Sequence, residues 1–137
     1  MKDNIFSRIE IEIQKAQYAY KRYSSPSSFA LLYHEKKLSP EQLSIFVRLS
    51  DKFLDIGDNV YFITFSYTSS DDVFKAAQNL LQELDKFFNN RTSCIAIDTF
   101  NAGNSPRMVL QRLSQILNET KKRSYTRIED ESILDTI

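Results

Sequence analysis

Glycine is nearly absent: the 137 residues include two, Gly57 and Gly103. Loops that cradle phosphate or bring backbone close to a substrate use glycine for positive φ and close approach, so this chain has little material for a glycine-rich nucleotide loop. Cysteine and histidine are as scarce. The single Cys94 excludes a disulfide framework and a cysteine zinc site, and the single His34 excludes a histidine metal cluster. No stretch approaches the ~18 apolar residues of a membrane span, and charges run through the N-terminal MKDNIFSRIEIEIQKAQ where a signal peptide would be apolar. Net charge is missing too, with 18 Lys and Arg against 18 Asp and Glu. Nucleic acid or a membrane surface could then be met only through a local patch, because no global basic field steers the chain there. These absences predict a cytoplasmic protein with no membrane insertion, no nucleic-acid partner, no metal and no cofactor.

What is present suits one domain with a real core: 42% of residues are hydrophobic and 26% charged. Ile5, Ile9, Ile13, Ala16 and Tyr20 recur at helical spacing, and SSPSS at 24–28 breaks the helix. Phe29-Ala-Leu-Leu-Tyr33 is a continuous apolar run, expected as a central strand covered on both faces. Ser39-Pro40-Glu41-Gln42 carries an N-cap, a first-turn proline and a capping-box glutamine, and Leu43, Phe46, Leu49 and Phe53 extend the helical spacing beyond it. Asp55 to Asn59 supply hairpin turn residues ahead of a strand Val60–Tyr67. A helix from Asp71 to Phe88 is expected behind a Ser69 cap, then a strand from Thr92 to Phe100. A last helix opens at Ser105-Pro106 and closes on Lys121-Lys122-Arg123, where cations suit the helix dipole. Residues 129–137 read as a polar tail that frays after one more short strand. Helices thus separate strands, which predicts an α/β (α+β sandwich) fold of the ferredoxin-like or nucleotide-cyclase-like kind, with helices on a mostly antiparallel sheet.

The segment from Arg48 to Phe62, RLSDKFLDIGDNVYF, resembles the central signature of GGDEF domains, the diguanylate cyclase family. There an RxxD pair precedes the GGDEF hairpin by five residues. Here Arg48 and Asp51 keep the pair and its spacing, while Gly57, Asp58, Asn59, Val60 and Tyr61 fill the five signature positions. Ala30 to Glu35 resembles the first strand with its metal-binding acids, Thr92 to Ile97 a later strand, and Leu113 to Ile128, with Lys121, the closing helix and basic tail. The resemblance covers most of residues 1–128 and implies a single GGDEF-like domain.

The departures from the pattern bear on chemistry. The family holds two divalent cations through an aspartate of the first strand and the acidic member of the turn; at those positions stand Tyr33 and Val60, and neither a phenol nor an isopropyl group ligates magnesium. Asp58 replaces a glycine whose backbone would receive phosphate. Glu35 offers one substitute carboxylate, and the stretch between the first strand and Arg48 is shorter than the family pattern. The resemblance therefore implies a catalytically inactive signalling domain. Its retained Arg48 and Asp51 correspond to the family's inhibitory site, where an arginine fork and a carboxylate acceptor suit cyclic di-GMP. Lys121 is placed as a phosphate contact.

Other readings stay open. Arg48 and Asp51 at i and i+3 also make an ordinary surface ion pair. A regulatory or interaction module that binds no nucleotide, working through a protein partner or as a homodimer, is the alternative, with the helix ending in Phe87 and Phe88 as its surface. A third is an active cyclase with altered metal ligands. Arg91, Arg107 and Arg112 are candidates for the second arginine of the inhibitory site, and the sequence does not choose among them. His34 reads as a sheet-edge residue and Cys94 as a small core residue.

Overall fold

The computed structural model describes residues 3–98 and 103–136. In chain order the elements are α1 (Asp3–Tyr23), β1 (Ser27–Tyr33), α2 (Pro40–Phe46), β2 (Lys52–Gly57), β3 (Val60–Ser66), α3 (Val73–Phe88), β4 (Cys94–Asp98), α4 (Pro106–Arg123) and β5 (Ile128–Glu129), followed by a 3₁₀ helix, Glu131–Thr136. The strands form one sheet in the order β2-β3-β1-β4-β5. The β2/β3, β3/β1 and β1/β4 pairs are antiparallel, and β5 alone joins in parallel, beside β4. This is the α/β sandwich with a mostly antiparallel sheet that the sequence predicts.

The continuous apolar runs follow from having helices on both faces. Along β1, Ala30 and Leu32 join Tyr61, Ile63, Phe65, Ile95 and Ile97 under α2 and α3. The intervening Phe29 and Leu31 join Phe62, Cys94 and Ala96 under α1 and α4. Alternation along each strand thus feeds two cores, and the few polar residues of β1, β3 and β4 that are buried, Ser28, Thr64 and Asp98, lie toward the strand ends or among apolar neighbours.

Start signals read from the sequence hold for α2 and α4. Ser39 accepts from the Gln42 N–H at 3.1 Å, Gln42 Oε1 accepts from the Ser39 N–H at 3.0 Å, and Ser105 Oγ accepts from the Met108 N–H at 3.2 Å. Three expectations need correction. Helix α2 stops at Phe46, because Val47 is extended at φ −89 and ψ 154. Leu49 therefore lies in a turn and Phe53 in β2, where it packs against the α2/α3 core. Helix α3 begins at Val73 after Asp72, with no side-chain cap; the Ser69 hydroxyl instead meets the Asp72 carboxylate at 3.2 Å. The tail does not simply fray: Ile133 is 7% exposed and joins the α1/α4 core. Residues 99 and 100, expected in the strand after Thr92, lie outside the described residues.

Candidate functional site

The hairpin carrying the signature positions turns on Asp58 and Asn59, both left-handed at φ 57 and 63, with Gly57 at φ 94. Gly57 and Val60 are cross-strand partners, so two residues close the loop, and consecutive positive φ values give the turn the twist that antiparallel strands need. The Asp55 carboxylate accepts the Gly57 N–H at 2.9 Å across a local register shift. Asn59 ties the hairpin to the end of β1: its side-chain amide donates to the Glu35 carbonyl at 2.8 Å, and its own carbonyl accepts the His34 N–H at 3.1 Å. Asp58 stays exposed.

Tyr33 and Val60, which stand where the resemblance puts metal-binding acids, are direct partners across β1 and β3. Both are partly buried against the α1/α4 core. Lys121, in the last turn of α4, places its ammonium 3.9 Å from the centroid of the Tyr33 ring, a cation–π contact. An aromatic ring, an isopropyl group and a fixed positive charge do not fit a pair of hard divalent cations, which need several oxygen ligands. Among the described residues no group of three or more His, Cys, Asp or Glu is placed to hold a metal ion.

Arg48 and Asp51 do not lie on a helix turn as the spacing alone suggests. They bracket the tight turn between α2 and β2, closed by the Asp51 N–H donating to the Arg48 carbonyl at 2.9 Å. The Arg48 Nε and Nη2 donate to the two oxygens of Asp51 at 2.9 and 2.8 Å. Asp51 also accepts the backbone N–H of Arg48 and of Ser66, each at 3.2 Å. Nη2 further reaches the Ser66 carbonyl at 3.1 Å and the Thr68 hydroxyl at 2.7 Å. The pair therefore clasps the entry of β2 to the exit of β3. The hydrogen bond to Asp51 raises the Arg48 pKa above its ordinary value, against a smaller opposing effect of burial. The adjoining cavity, bordered by Phe46, Phe65 and Leu80, holds about 110 Å³, well below the several hundred typical of small-molecule sites.

The arginines considered as a second fork lie elsewhere. Arg112 pairs with buried Asp98 at 3.1 Å, Arg107 sits 4.8 Å from the Phe6 ring centroid, and Arg91 lines a cavity beside α3 and β5. Sequence reasoning missed Arg127. It forks onto Asp85 at 3.2 and 2.6 Å and also donates to the Ser93 carbonyl at 3.1 Å, from a left-handed backbone at φ 65. An Arg and an Asp 42 positions apart leave no spacing signal.

His34 is also differently placed than expected. It is fully buried, its Nδ1 lies 2.7 Å from the Ser93 hydroxyl, and its ring centroid is 4.6 Å from that of Phe88. Nε2 has no partner. Burial pushes the imidazole pKa below 6.5, outweighing the upward pull of Glu35 and Asp85. Cys94 is buried as expected, and burial raises its thiol pKa. Among the described residues no helix is long and apolar enough to cross a membrane.

No family model and no curated protein matches the sequence. Among solved structures, the chain is similar to diguanylate cyclase SiaD, determined in complex with its activator SiaC, from Pseudomonas aeruginosa. The TM-score is 0.71 at 10% identity, over 90% of this chain and 57% of that one. The chain thus spans less than two thirds of SiaD. At this identity the likeness concerns the fold, and on that ground the sandwich of five strands and four helices is a GGDEF-like fold.

Proposed function

We propose that this GGDEF-like domain is a catalytically silent regulatory module rather than a cyclase. The observation that carries this reading is the Tyr33–Val60 pair with the Lys121 ammonium over the Tyr33 ring, where a cyclase would need carboxylates around divalent cations. A GGDEF-like fold that keeps its core while that position is filled by an aromatic–cation contact supports a role in binding rather than in cyclisation. SiaD, which is similar in fold, was determined in complex with its activator SiaC, and this supports a regulatory reading. The test is incubation of the full chain with GTP and Mg²⁺ or Mn²⁺ followed by nucleotide analysis. The expected result is unchanged GTP; any cyclised or linear dinucleotide overturns the reading.

A second reading, reception of cyclic di-GMP, is favoured by one observation: the Arg48 side chain is 50% exposed and so within reach of a ligand. Against it stands Asp51, whose side chain is 1% exposed and whose oxygens are already taken. Binding through this pair needs the clasp to open. Titration calorimetry with cyclic di-GMP on the wild type and Arg48→Ala decides: heat that vanishes in the variant establishes the receptor, and no heat with the wild type removes it.

A further inference from the structure

A cavity of about 700 Å³ lies between α3 and the start of β5, on the side of the sheet away from α1 and α4. That volume falls among small-molecule sites, whereas the cavities beside Arg48 and beside Tyr67 hold about 110 and 140 Å³. Its floor is apolar: Leu81 and Ile128 are 4% and 6% exposed, and Phe74, 36% exposed, presents a ring at the rim. Above the floor, Gln78, Gln82 and Lys86 follow one another at i, i+4 and i+8, one face of α3, so two amides and an ammonium line the same wall over about 12 Å.

The charge in this cavity is unbalanced although the whole chain is neutral. Asp85 is committed to Arg127 through two contacts of 3.2 and 2.6 Å. Glu83 remains as the other carboxylate, facing two further cations, Lys86 and Arg91. Among the described residues neither Lys86 nor Arg91 has an ion-pair partner. The wall is rigid where it matters. Arg127 is held in a left-handed conformation that non-glycine residues avoid, its carbonyl accepts the Ile95 N–H at 2.8 Å, and its guanidinium is locked by Asp85 and the Ser93 carbonyl.

An added peptide strand does not suit this edge. β5 has two residues, and the Thr126 hydroxyl lies 3.0 Å from the Ile128 carbonyl and 3.4 Å from its N–H, covering the backbone groups a sixth strand would need. We infer that the α3–β5 cavity binds a small organic anion: a flat apolar body resting on Phe74, Leu81 and Ile128, heteroatoms at its edge meeting Gln78 and Gln82, and a phosphate or carboxylate held by Lys86 and Arg91. None of Arg48, Asp51 and Tyr33 lines this cavity.

The chain contains no tryptophan, so Phe74→Trp installs a single tryptophan on the cavity wall, whose emission can be excited selectively over that of the tyrosines. This protein is titrated with phenyl phosphate, benzoate and inorganic phosphate, and the wild type is titrated with the same three by calorimetry. The expected result is saturable binding of phenyl phosphate or benzoate, whichever head group the cations prefer, at least about ten-fold tighter than inorganic phosphate. The double variant Lys86→Glu, Arg91→Glu weakens it by about ten-fold or more, while Lys36→Glu with Lys37→Glu leaves it unchanged. Calorimetry of the wild type without saturable binding of either aryl anion, or equal affinity in the charge-reversed variant, overturns the inference.

Discussion

The carboxylate of Asp51 receives both arms of the Arg48 guanidinium, at 2.9 and 2.8 Å, in a site where the Asp51 side chain is 1% exposed. The two residues hold the ends of neighbouring strands together, since Asp51 also accepts the Ser66 N–H and Arg48 reaches the Ser66 carbonyl. Arg48→Ala leaves a buried carboxylate with only two backbone donors. We expect a loss of about 1–3 kcal/mol in denaturant unfolding, toward the low end because half of the arginine faces solvent. Asp51→Asn keeps the shape but cannot receive a two-armed charged fork, and is expected to cost a similar amount. A cyclic di-GMP titration on the folded variants then separates loss of a ligand contact from loss of the clasp.

Gly57 offers a backbone test of the signature hairpin. Its φ is 94, and a methyl group added there meets no atom within 4 Å. Gly57→Ala is therefore expected to destabilise by about 1–2 kcal/mol through conformation alone, without a clash. Asn, which tolerates left-handed backbone better, is expected to cost less than Ala at this position. Urea unfolding of the two variants side by side checks the order.

Much of this architecture could be read from the chain because its signals are local. The capping box at Ser39 and Gln42, the Ser105 cap and the five-residue run from Phe29 to Tyr33 each depend on neighbours in sequence, and each appears where expected. Helix α2 was overextended because Leu49 and Phe53 continue its period by chance: one is fully exposed in a turn and the other belongs to β2. The site was less legible. Spacing brought Arg48 and Asp51 together correctly, but that Asp51 is buried and saturated depends on β3, 15 residues further on. Lys121 on Tyr33 and Arg127 on Asp85 join residues 88 and 42 positions apart, contacts that only the sheet order creates.

His34 gives the fold a predictable response to acid. Burial lowers its pKa in the folded protein from 6.5, so the unfolded chain takes up a proton more readily. Below 6.5 the unfolded state binds more protons than the folded one, and stability falls with pH until the folded imidazole itself is protonated. Above 6.5 both states are neutral here and the effect is absent. Unfolding free energy measured across this window is expected to slope more steeply for the wild type than for His34→Gln, which removes the titrating ring. Equal slopes would mean that other groups govern the acid limb.

Lys121 and Tyr33 can be tested as a pair. Single changes, Lys121→Met and Tyr33→Leu, keep most of the apolar bulk while removing the charge or the ring. The double-mutant cycle is expected to return a coupling of about 0.5–1 kcal/mol, as for cation–π contacts near a surface. Added salt should reduce it only modestly, because the ammonium lies directly over the ring at 3.9 Å. A coupling near zero would return Lys121 to the role of a helix-terminal cation and leave it available for phosphate.

The 3₁₀ helix after β5 makes the last prediction. Ile133 is 7% exposed within the α1/α4 core, and its carbonyl accepts from the Arg123 guanidinium at the end of α4. The segment is therefore packed against α4, and Ile133→Ala should remove buried apolar surface. The expected cost is about 2 kcal/mol, at the low end for such truncations because a surface segment can settle into the space. Leu134, only partly buried beside it, should cost less when changed to alanine. Thermal unfolding of both variants distinguishes a docked segment, which gives this order, from a frayed one, in which both changes are silent.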